Sequence, residues 1–148
     1  MSLVGFVLLI YGYGLARPDS AYLWHPPAAM RHIASLLVLF AFISFVAAKV
    51  PGNIIKARVG HPMVLGVKIW AFAHLLANGR VADVLLFGAF FVWAVLSFIS
   101  SRKRDRAASM TYPAGTAKAT VITVVVGVVV YLVFAAWLHK LLIGVSPF

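Results

Sequence analysis

The sequence predicts an all-α integral membrane protein, a bundle of about five transmembrane helices. Apolar residues make up 64% of the chain and charged residues only 11%, whereas a soluble domain has about 45–50% and about 25%. The apolar residues form long runs between short polar links, which is typical of several spanning helices. The run 121–136 shows none of the alternation that a β-barrel strand requires. Because lipid cannot hydrogen-bond a peptide group, each run must satisfy its own backbone as a helix.

The predicted spans follow the apolar runs in order, at residues 2–16, 32–50, 62–77, 81–99 and 121–142. The first is short for a membrane and ends at Arg17-Pro18-Asp19. The second closes at Pro51-Gly52. The third opens at Pro62, which suits a first helical position, and ends at Asn78-Gly79. Spans three and four are therefore a tight hairpin, and residues 1–148 are a single transmembrane domain.

The polar links set the predicted orientation. Basic residues concentrate in the links after spans two and four, so the N-terminus is predicted inside and the C-terminus outside. Link 20–31 carries Tyr22 and Trp24 and is predicted to lie along the membrane surface, and link 100–120 to be partly flexible. The charges border apolar runs, which favours lipid headgroups as partners and not nucleic acid. The absence of cysteine excludes disulfides, thiolate catalysis and iron–sulfur clusters.

This orientation places four of the five histidines, all but His61, towards the outer face. A histidine inside a bilayer requires a polar partner and is a functional candidate by default. His74 lies deepest, with Trp70 and Asn78 on its helix face. Imidazoles from facing helices suit a six-coordinate haem iron, and His74 is the best placed donor. The alternative, which applies most to His25, His32 and His139, is an amphipathic side chain settled at a helix end.

Two other charges fall inside predicted spans. Lys68 either snorkels to the inner surface or carries a Schiff base, for which its neighbours give no support. Asp83 lies in the first turn of span four, where a carboxylate suits the helix dipole, and is predicted to pair with Arg80. The sequence shows no catalytic triad order, no metal-ligand spacing and no phosphate-binding glycine loop, so it leaves open whether the chain is an enzyme.

A long stretch from Gly60 to Gly79, GHPMVLGVKIWAFAHLLANG, is distinctive. Together with YGYGLAR at 11–17, LLFG at 85–88 and LHKLLIGV at 138–145, it closely resembles the NnrU family of membrane proteins. That resemblance implies a multi-pass protein of the bacterial inner membrane, named for denitrification. The family also includes 15-cis-zeta-carotene isomerase, a haem b protein whose iron is held by histidine. By position His74 matches a histidine implicated there as a ligand, and His61 matches another family histidine.

The resemblance adds haem b as the expected cofactor, with His74, His32, His61, Trp70 and Asn78 as the expected binding residues. Members usually carry a further helix before the segment matching 2–16, and this sequence is predicted to lack it. If that helix supplies the usual second ligand, His74 needs another partner, such as His32.

The preferred reading is a haem-b-binding inner-membrane protein with a redox or isomerase-like role on a hydrophobic small molecule. The alternative is a non-enzymatic subunit or assembly factor of a larger respiratory, denitrifying or photosynthetic membrane complex. A small transporter is less favoured, because no inverted repeat or paired broken helices are visible.

Overall fold

The fold is a set of apolar helices joined by short links, seen in a computed structural model that describes residues 3–147. The helices are α1 (Leu3–Ala16), α2 (Ala29–Lys49), α3 (Ile54–Val59), α4 (Pro62–Ala77), α5 (Val81–Ala107) and α6 (Ala117–Val133). A π-helical turn, Phe134–Leu138, continues α6 into a last short helix, α7 (His139–Ile143). The predicted all-α membrane class is confirmed.

Three of these helices are long and apolar enough to cross a membrane, namely α2, α5 and the continuous stretch Ala117–Ile143. The other two apolar helices, α1 and α4, have 14 and 16 residues. At about 1.5 Å per residue they measure roughly 21 and 24 Å, less than the roughly 30 Å of a hydrocarbon core. Helix α1, like the first predicted span, is therefore shorter than the hydrocarbon core.

Two helix boundaries differ from the sequence-based expectation. Helix α2 begins at Ala29, so the end of the predicted surface link is helical. The turn starts directly after Pro26-Pro27, which cannot lie in a helix interior. Helix α5 runs on to Ala107 in place of a flexible stretch from Ser100. Arg104 donates to the Ser100 hydroxyl one turn back at 2.8 Å, and basic residues suit a helix C-terminus.

The helices lie side by side in the order α6, α2, α4, α5, and α1 touches α5. Within residues 3–147, α5 packs against neither α2 nor α6, so these helices form one open layer. Small residues allow the close approaches. A Cβ added at Gly66 of α4 would lie 2.5 Å from the Phe45 ring of α2, and one at Gly127 of α6 would lie 2.8 Å from the Ile43 backbone.

Buried polar groups fix the links at the end of the layer that carries α3. Asn53, fully buried, donates to the carbonyls of Ala47 and Val50 and caps α3 by accepting from the Lys56 amide. Its side chain thereby joins the end of α2 to the start of α3. The valine-rich face of α6 stays largely exposed, as expected of a surface in contact with lipid.

Candidate functional site

The candidate site begins at His74, one turn before the end of α4. Its Nδ1 lies 2.9 Å from the Trp70 carbonyl oxygen. A carbonyl only accepts, so Nδ1 carries the proton and Nε2 presents a lone pair. Within the described part of the chain Nε2 has no hydrogen-bond partner. An imidazole held at one nitrogen by a backbone carbonyl, with the other nitrogen free, is the arrangement of a metal-binding histidine.

Aromatic rings surround this imidazole. The Trp70 ring centroid lies 4.9 Å from that of His74, and the Phe87 centroid of α5 lies 4.6 Å away on a tilted plane. Phe87 is 5% exposed and also packs against Trp70 and, edge-on, against Tyr13 of α1. The surroundings are therefore apolar and suit a flat hydrophobic ligand.

A polar cluster closes the end of the site. Asp83, only 1% exposed, accepts hydrogen bonds from the Tyr13 hydroxyl at 2.6 Å and from Arg17 Nε at 2.9 Å. Arg17 also reaches the Asn78 side-chain oxygen at 3.4 Å, and the Asn78 amide donates to the His74 carbonyl at 2.9 Å. This cluster fastens α1 to the α4–α5 turn beside His74.

The predicted pairing of Asp83 with the Arg80 side chain is wrong. The contact between the two residues is instead through the Arg80 backbone amide, which donates to the Asp83 carboxylate at 3.3 Å. The Arg80 guanidinium turns instead to the link before α2, where one nitrogen donates to three carbonyl oxygens at 2.8–3.0 Å and the group stacks over the Tyr22 ring.

The other predicted site residues lie apart from His74. His61 is at the opposite end of α4, where its Nε2 lies 2.8 Å from an Asp105 carboxylate oxygen that also accepts from Tyr112. His32 is exposed in the first turn of α2. No group of three or more His, Cys, Asp or Glu side chains suited to a metal occurs among residues 3–147.

His139 is the histidine that the sequence argument undervalued. It follows the π-helical turn, is half-buried, and donates from Nδ1 to the Val145 carbonyl at 2.6 Å. Within residues 3–147 its Nε2 has no hydrogen-bond partner, as for His74. Phe134 lies edge-on to the His139 ring and packs against Phe42 of α2. The π-helical turn just before His139 is the structural feature that marks it as a candidate, because such turns cluster at functional sites.

The cluster of His61, Asp105 and Tyr112 lies outside the apolar spans. Burial, and then the hydrogen bond to Asp105, raise the pKa of Tyr112. For Asp105, burial acts to raise the pKa, but hydrogen bonds from Tyr112 and His61 outweigh it and hold the pKa below its usual value. This cluster ties the link after α5 to the start of α4.

Comparison with known proteins now decides the family. The model of the family described as NnrU protein matches residues 1–147. This chain belongs to the NnrU family. No curated protein and no solved structure matches it. As an NnrU family member with helices long enough to span a bilayer, the chain is a membrane protein, and its exposed apolar helix faces contact lipid.

Proposed function

We propose that this NnrU family protein binds haem b within the bacterial inner membrane and has a redox or isomerase-like role in denitrification or carotenoid metabolism. The observation that carries the proposal is the His74 imidazole, whose Nδ1 is held by the Trp70 carbonyl and whose ring packs against Trp70 and Phe87. The residues present fit the group, since an axial ligand needs an imidazole lone pair and a second-shell acceptor for its other nitrogen.

A candidate for the second ligand in this proposal is His139, because it has the same hydrogen-bonding arrangement as His74. Both rings donate from Nδ1 to a backbone carbonyl and leave Nε2 free. His61 is a weaker candidate because its Nε2 binds Asp105. His32 remains the ligand expected from sequence. Because its ring is exposed, water would compete with it for the iron.

Haem b, if bound, would be held by His74 and would supply a one-electron couple or a position at which a hydrophobic molecule could bind the iron. The chain's own residues orient the His74 ring and shield it from water. The Trp70 carbonyl holds the His74 ring in one orientation, and Trp70 and Phe87 exclude water from it. Asn78 links the polar cluster to the end of α4.

Visible absorption of the purified protein, expressed with added haem precursor, tests the proposal. The wild type should show a Soret band that His74→Ala abolishes and that His25→Ala, a change at an exposed link histidine, leaves intact. Of His139→Ala and His32→Ala, the variant that shifts the band identifies the second ligand. A colourless wild-type protein after reconstitution with haem, or a band unchanged by His74→Ala, contradicts haem ligation at this site.

Binding of carbon monoxide to the reduced protein separates the two proposed roles. Uptake at a rate that His139→Ala accelerates supports a displaceable ligand and an isomerase-like role. A spectrum that carbon monoxide does not change supports a role in electron transfer.

A second function, as a non-enzymatic subunit or assembly factor of a larger membrane complex, is favoured by the open helix layer. Leu3 and Leu8 of α1 are 78% and 63% exposed, and Trp137 near α7 is 68% exposed. Stoichiometric co-purification of a colourless protein with a respiratory, denitrifying or photosynthetic complex supports this function instead.

A further inference from the structure

A polar pocket lies on α5 where its apolar span gives way to its charged end. The pocket is an open depression of about 290 Å³ on the surface of this one helix, lined by Leu96, Ser97, Ser100, Ser101 and Arg104. The apolar run ends at residue 99, so Leu96 lies on the hydrocarbon side of the boundary and Arg104 on the polar side. Eight residues of helix separate them by roughly 12 Å, so the pocket crosses the boundary between hydrocarbon and headgroups.

The serine hydroxyls of this pocket have protons available for hydrogen bonding. In a helix a hydroxyl commonly donates to the carbonyl one turn back, as Ser44 and Thr123 do here at 2.8 Å. Ser100 and Ser101 instead accept hydrogen bonds from Arg104 at 2.8 and 2.9 Å. Within residues 3–147 these two hydroxyls, and that of Ser97, donate to no acceptor. Ser101 is only 7% exposed.

The Arg104 charge is likewise without a carboxylate. Asp105 is the acidic residue nearest in sequence, and its carboxylate is engaged by His61, Tyr112 and, at 3.7 Å, Arg102. Across residues 3–147, Arg104 forms no ion pair. A guanidinium and several hydroxyl donors around one cavity call for an acceptor-rich, negatively charged ligand.

We propose that this pocket binds the phosphate of an anionic phospholipid, with Arg104 and the hydroxyls of Ser97, Ser100 and Ser101 as donors and an acyl chain along Leu96. The shared chemistry is an oxyanion, which a lipid headgroup or free phosphate supplies. Position favours the lipid, because the pocket straddles the end of the span. The surrounding charge agrees, since eight basic residues and one acidic residue lie at this end of the layer (Lys49, Lys56, Arg58, Arg102, Lys103, Arg104, Arg106 and Lys118, against Asp105).

Thermal unfolding of the micelle-embedded protein, followed by tryptophan fluorescence, tests this assignment while phosphatidylglycerol, phosphatidylcholine or inorganic phosphate is added separately. Phosphatidylglycerol should raise the unfolding temperature and phosphatidylcholine should not. Arg104→Gln should weaken the apparent affinity for phosphatidylglycerol about tenfold, because it removes the charge-assisted hydrogen bonds. Lys103→Gln, with the same charge change on the adjacent exposed residue, should leave the affinity within about twofold.

Equal weakening by Arg104→Gln and Lys103→Gln would overturn the proposal, since it would mean diffuse attraction to a basic surface. Protection by inorganic phosphate equal to that by phosphatidylglycerol would overturn the lipid assignment. If Arg104→Gln does not fold, the double change Ser100→Ala and Ser101→Ala provides the test. It removes the hydroxyl donors, keeps the guanidinium, and should also weaken the affinity.

Discussion

Neutralising the buried carboxylate of the polar cluster should loosen α1. In Asp83→Asn the side chain keeps its shape but loses the charge that Arg17 and Tyr13 contact at 2.9 and 2.6 Å. Breaking a buried ion pair costs about 3–5 kcal/mol, but water screens part of the stranded charge at a partly exposed partner. The Arg17 side chain is 34% exposed. We therefore expect a loss of about 2–3 kcal/mol in the free energy of unfolding.

The assay is thermal or denaturant unfolding in micelles. For a chain of this size about 1 kcal/mol shifts the midpoint by roughly 2–4 °C, so Asp83→Asn should unfold about 4–10 °C lower. Asp19→Asn, at an exposed acidic residue of the link between α1 and α2, should lie within about 0.5 kcal/mol of wild type. In a double-mutant cycle with Tyr13→Phe, the coupling energy should exceed about 0.5 kcal/mol. Equal midpoints for Asp83→Asn and Asp19→Asn would refute the reasoning.

Three further outcomes follow from the contacts. The lowered pKa of Asp105 stabilises the fold above its ordinary pKa of 3.8, and this stability is lost as pH falls through the lower folded value. Acid unfolding curves below about pH 4 should therefore be flatter in Asp105→Asn. Gly66→Ala should lower the free energy of unfolding by about 1–3 kcal/mol through its clash with α2, whereas Gly88→Ala, with open space around it, should be neutral in the same measurement. Asn53→Ala should cost about 2–4 kcal/mol in denaturant titration, because it strands buried carbonyls and removes a helix cap; a loss below about 0.5 kcal/mol would contradict its role.

The membrane class was predictable because it depends on composition and on the length of apolar runs, which any stretch of sequence carries locally. The hairpin of α4 and α5 was predictable for the same reason, since Asn78-Gly79 marks it directly. By contrast, the partners of Asp83 were not. The carboxylate has a basic residue three positions away, but its side-chain donors come from 66 and 70 positions away.

The candidate site was predictable in part. Depth along a span singled out His74, and helical spacing put Trp70 one turn from it, as the structure has them. Which other histidine shares its features depends on packing and on the phase of the helix. The π-helical turn changes that phase just before His139, and hydropathy gives no sign of it.

The guanidinium of Arg80 has a consequence for how the chain is made. Its hydrogen bonds to the carbonyls of Arg17, Pro18 and Ser20 join positions 60–63 residues apart. Because Arg80 is translated after these residues, the hydrogen bonds that hold the end of α1 can form only once the α4–α5 hairpin has been made.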